Sequence, residues 1–144
     1  MTLDCSPVSP DPLNDDDFLR GFEAGTLEAF PHADHVRMTI LYLTRYGRDE
    51  ALERVATGIL RFATLKGAPE KFHVTMTRAW VELVDSARRA HPEASDVAAL
   101  VAACPLLLDK HALLRYYSRE RLESAEARTT WIPPDVALDP GGPI

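Results

Sequence analysis

Apolar side chains recur along this chain at helical rather than alternating intervals, and no stretch alternates in the manner of a strand. Phe18, Leu19 and Phe22 follow the run Asn14-Asp15-Asp16-Asp17, whose carboxylates suit the positive end of a helix, and Gly25 follows as a stop. A first, short helix is predicted there. Pro31 fits the opening turn of a second helix over 32–46, because its missing N–H has no intrahelical partner in that position, and Gly47 ends it. Asp49 caps a third helix over 50–66, carrying Leu52, Val55, Ile59, Leu60 and Phe62 and stopped by Gly67. The fourth helix, over 70–90, carries the stripe Phe72, Met76, Ala79, Trp80, Leu83 and Ala87.

Pro92 breaks that pattern, and Ser95 is placed to cap a fifth element over 96–104. Shorter helical pieces over 110–117, 119–122 and 125–130 read as a cover. The expected fold is therefore all-α: one up-down bundle of about four main helices with short C-terminal covering helices. Residues 1–13, with Pro7, Pro10 and Pro12 and no apolar repeat, read as a disordered arm; 14–132 as the bundle; and 133–144, rich in proline and glycine, as an extended or disordered tail.

Composition adds limits. At 144 residues a single domain buries roughly 68% of its unfolded surface. Hydrophobic residues at 46% and charged ones at 26% match an ordinary globular domain. Sixteen basic residues against twenty-two acidic ones argue against nucleic acid as partner, since phosphate backbones draw on clustered cations. The longest nearly apolar run, 97–108, is broken by Pro105 and is too short to span a membrane. The first residues lack the basic and apolar regions of a leader, which makes a cytoplasmic location the expectation. Cys5 and Cys104 have no metal-type spacing and suggest no disulfide framework.

The chemistry concentrates in histidines. His32 and His35, three apart at the start of the second helix, share neighbouring parts of one face. His73 opens the fourth. Short connections make consecutive helices antiparallel, so the second and fourth run the same way and their amino-terminal turns meet at one end. Three imidazoles converging there suit a divalent transition metal, Zn, Fe or Cu, with a position open to water or substrate. Asp34 and Asp109 are candidates for a further carboxylate. Tyr42 is a candidate catalytic proton donor, and Arg37 and Arg78 are candidate clamps for an anionic substrate. His91 reads as a helix-end partner, and His111 is ambiguous. The Leu113-Leu114-Arg115-Tyr116-Tyr117-Ser118 segment reads as a covering piece or a lid.

Together, Phe30-Pro31-His32-Ala33-Asp34-His35, Phe72-His73-Val74-Thr75 and Leu113–Ser118 resemble a family of small bacterial all-helical proteins marked by HxDH, FHxT and LLRYYS motifs. The resemblance covers residues 15–135 and implies one domain. That family often has an acidic residue after the second-motif histidine, where this chain has Val74. The architecture is also similar to the DinB-like metal-binding bundles, at the level of fold.

Three functions follow as expectations. The first is a metal-dependent enzyme acting on a small molecule, with His32, His35 and His73 as ligands. The second is a metal-free pocket in which a histidine serves as general base or ligand contact. The third is a non-catalytic helical interaction domain, for which a homodimer is the partner left open.

Overall fold

The computed structural model describes residues 14–135, so the expected arm over 1–13 and the tail beyond 135 lie outside the described residues. Within them the fold is all-α. The principal helices are α1 (Asp15–Ala24), α2 (His32–Tyr46), α3 (Arg48–Leu65) and α4 (Val74–Ala90). Smaller α5 (Val97–Ala103), α6 (Arg119–Leu122) and α7 (Ala125–Thr129) follow, with 3₁₀ turns at Pro69–Lys71, Pro105–Leu108 and Ala112–Arg115.

The ends of these helices follow from local chemistry. Asn14 caps α1 by accepting a hydrogen bond from the Asp17 N–H at 2.8 Å, and three aspartates occupy the first turn. Gly25 closes it with φ of 74°, and the Thr26 N–H reaches back to the Gly21 carbonyl at 2.9 Å, the six-to-one bond of a Schellman motif. Pro31 sits one position before α2 rather than inside it. Its carbonyl accepts from the N–H groups of Asp34 and His35, so its backbone starts the helix from outside.

Three other starts also differ from the pattern. Gly47, with φ of 85°, is the sole residue between α2 and α3, so α3 begins at Arg48, and Asp49 lies in its first turn instead of capping it. The fourth helix begins at Val74 and not near residue 70. Pro69 opens a separate 3₁₀ turn, and His73, in extended backbone, takes the cap position with its ring. Asp96 rather than Ser95 caps α5.

Packing makes α4 the central rod. It contacts α2 and α3 on one side and α7 with the Ala112–Arg115 turn on the other, while α1 lies on α3 and the Pro105–Leu108 turn lies on α2. Both faces of α4 are therefore covered, and Val81, Leu83 and Val84 are all fully buried. Thr75, also fully buried, is satisfied by donating to the Thr130 carbonyl at 2.7 Å and accepting from the Ile132 N–H at 3.1 Å. The segment after α7 is thereby pinned across the bundle. Tyr117 Oη adds a 2.8 Å bond to the Ile132 carbonyl, Arg121 Nε one to the Pro133 carbonyl, and Ser118 two to Asp135. Leu113, Tyr116 and Tyr117 are buried, so this segment packs as part of the core.

An aromatic cluster fills the space between α1 and α3. Phe22 stacks on Phe30 and Phe62 with ring centroids 4.8 and 5.9 Å away. Gly58 lets the Phe22 ring approach α3 closely: a Cβ at that position would lie 2.5 Å from Phe22 Cε2.

Candidate functional site

Between α2, α3 and α4 lies a cavity of about 540 Å³, within the range of small-molecule sites. Its floor is apolar, formed by Val36, Val55, Ile59, Met76, Trp80 and Val84. His32 and His35 come from α2, and His73 from the cap of α4. The exposed side chains of Lys71, Lys110 and His111 stand at the rim. His32, His35 and His73 thus line one chamber.

Each ring has a defined role in the packing. His73 Nδ1 accepts from the Met76 N–H at 3.1 Å, and its Nε2–H donates to the Leu122 carbonyl at 2.8 Å. Both nitrogens are engaged, which sets a neutral tautomer. Burial depresses its pKa, with the charge on Arg128 acting the same way against the raising effect of the Leu122 bond.

His35 packs against Phe30, ring centroids 4.2 Å apart and planes tilted by 34°. Its pKa is pushed down to about 4, first by burial and then by the proximity of His32, while a hydrogen bond to the Phe30 backbone opposes the shift. It is neutral at physiological pH. His32 Nε2 lies 2.9 Å from the Leu107 carbonyl, which accepts its proton. In the neutral ring this leaves Nδ1 as the lone-pair acceptor. The ring meets the Trp80 indole edge-on at 4.6 Å.

The remaining sequence candidates lie elsewhere. Tyr42, only 2% exposed, donates its hydroxyl proton to Glu23 Oε2 and borders a second cavity of about 660 Å³ among Glu23, Asp49, Glu50, Glu53, Arg54 and Arg61. It lies two turns beyond His35, roughly 10 Å further along α2, where Glu23 of α1 meets it, and burial with the neighbouring Glu23 carboxylate raises its pKa strongly. It does not serve the histidine chamber as a proton donor. Arg37 faces α1, bonded to Asp15 at 2.8 Å and lying over the Phe18 ring at 4.3 Å. Arg78 lies over Trp131 at 4.5 Å and 3.5 Å from Glu82. Neither arginine lines the chamber, each side chain being held by these other partners.

Asp34 and Asp109 do not line it either. Burial raises the Asp34 pKa, with Arg37 opposing, and Asp109 accepts from the His111 N–H at 2.9 Å. Among the described residues no three His, Cys, Asp or Glu side chains form a group able to hold a metal ion. The engagement of both His73 nitrogens gives a physical reason: coordination there needs a backbone bond to break.

Lys71 and Lys110, with Thr39 and Thr77, are polar lining residues that the sequence did not single out, and His111, ambiguous by sequence, joins them. Lys71 is two residues from His73, but Lys110 and His111 arrive from a covering loop far along the chain. Met76 and Trp80 belong to the predicted core stripe, yet they face the chamber and are half-buried. No helix among the described residues is long and apolar enough to cross a membrane. Comparison of the chain with known protein families, with curated proteins and with solved structures gives no match.

Proposed function

We propose that the protein binds a small organic molecule in the chamber between α2, α3 and α4, without a resident metal, and that His32 is the ligand-facing base. The observation that carries this reading is the combination of an apolar floor with a ring of polar groups in one cavity of about 540 Å³. The three histidines divide the work. His73 closes the start of α4 and the turn at Leu122, His35 supplies a neutral polar surface over the aromatic cluster, and His32 offers Nδ1 to the ligand. With Nε2–H held by the Leu107 carbonyl, Nδ1 can accept a hydrogen bond from a ligand hydroxyl or take its proton as a general base.

The test separates this reading from the metal-dependent one. Elemental analysis of protein purified without a histidine tag is expected to show no stoichiometric zinc, iron or copper. A stoichiometric metal lost together in His32→Ala, His35→Ala and His73→Ala would overturn the metal-free reading and establish the three-ligand enzyme. In parallel, His73→Gln is expected to lower thermal stability, whereas His32→Gln leaves the fold intact and weakens ligand binding.

A further inference from the structure

The histidine chamber has an annexe of different character. A smaller cavity of about 170 Å³ shares His73, Met76, Lys110 and His111 with it and extends toward Arg119 and Arg128. The two spaces are neighbours, bordered in common by those four side chains. The chamber is floored by aliphatic and aromatic groups, but the annexe is bordered by three permanent cations, Lys110, Arg119 and Arg128, against one carboxylate, Glu123.

This local excess stands out against the whole chain, whose formal charge is −6. The second cavity, on the α1 side, carries four carboxylates against two arginines, so the molecule is electrically two-sided. The cations of the annexe are also partly preset. Arg128 is held by a 2.8 Å bond to the Glu70 carbonyl, and Arg119 by a 3.2 Å ion pair with Glu123. Lys71 adds a further positive charge at the chamber rim. A concave, low-dielectric wall with cations at one end focuses potential on an incoming anion.

We propose, on the basis of the ligand-pocket reading above, that the ligand is an amphipathic organic anion. Its apolar body occupies the chamber beside Trp80, and its carboxylate or phosphate head lies in the annexe among Lys110, Arg119 and Arg128. The apolar body gains from burial against the floor, in rough proportion to the area removed from water. The head gains charge-assisted hydrogen bonds that a neutral head cannot make.

Trp80 reports on the chamber directly, and replacing Trp131 by Phe leaves it as the chain's sole tryptophan. In that Trp131→Phe protein, octanol, octanoate and octyl phosphate are titrated against Trp80 emission. Octanoate or octyl phosphate is expected to bind about tenfold more tightly than octanol, and the ratio between the two anions identifies which head group the annexe prefers. Lys110→Glu and Arg119→Gln, both at exposed positions, are expected to remove most of that advantage, and Arg119→Gln, which borders the annexe and not the chamber, to leave octanol affinity within about twofold.

Equal binding of octanol and both anions, insensitive to these substitutions, overturns the anion assignment and leaves the pocket reading standing. No response of Trp80 to any of the three overturns both.

Discussion

His73 commits both ring nitrogens to backbone groups, one at the start of its own helix and one at Leu122. His35 commits its ring face to Phe30. Imidazoles used in this way must stay neutral, which ties stability to pH. The folded-state pKa of His35 is about 4, below the value of about 6.5 expected for an unfolded chain. Above pH 6.5 both states are neutral and the contribution is complete. As pH falls from 6.5 toward 4 the unfolded chain takes up a proton that the folded one refuses, so stability is lost across that window. The loss approaches about 3 kcal/mol for this group, and the depressed His73 acts in the same direction. Denaturant unfolding at pH 7, 5.5 and 4 should show the decline, and His35→Gln should make the curve shallower. An unchanged slope in that variant would remove His35 as the cause.

At the scale of elements, α3 has a residue that helix propensity alone would reject. Gly58 in mid-helix costs about 1 kcal/mol relative to alanine, yet the Phe22 ring occupies the place of its missing side chain. Phe22 is fully buried and held between Phe30 and Phe62, so it has nowhere to move. Gly58→Ala is therefore expected to destabilise the protein by about 1–3 kcal/mol in spite of its better propensity. Thermal denaturation checks the sign, and a more stable variant would show that the ring can yield. The same cluster explains why α1, only ten residues long, holds its position. Its three aromatic and aliphatic anchors, Phe18, Leu19 and Phe22, are all buried.

Over the whole molecule, α4 couples the chamber to the carboxy-terminal strap. Trp80 faces the cavity from one side of this helix, and Thr75 binds Thr130 and Ile132 from another, next to Trp131. Loss of either set of contacts uncovers a face of the same central rod. Unfolding is expected as one cooperative transition. Trp80→Phe and Trp131→Phe proteins, each followed by its remaining tryptophan and by far-UV circular dichroism, should give coincident midpoints within each protein. A strap signal that melts well before the helical signal would show a separately unfolding segment.

The helical class, the extent of α2 and the stops at Gly25 and Gly47 follow from nearest-neighbour chemistry: apolar spacing, acidic first turns and residues able to take positive φ. That His32, His35 and His73 border one cavity has a related reason, since short connections leave few ways to arrange successive helices. Local pattern could not show where a side chain on a helix flank turns once several neighbours compete for it. Arg37 went to Asp15, Tyr42 to Glu23 and Arg78 to Trp131, and all three left the chamber. Nor could spacing reveal that Lys110 and His111, carried by a loop that follows a proline-led turn, complete its rim. Periodicity is a property of one segment, but a cavity belongs to the space between segments. The amino-acid order alone therefore determined the rods and their sense, while tertiary packing decided which groups face one another across the gap.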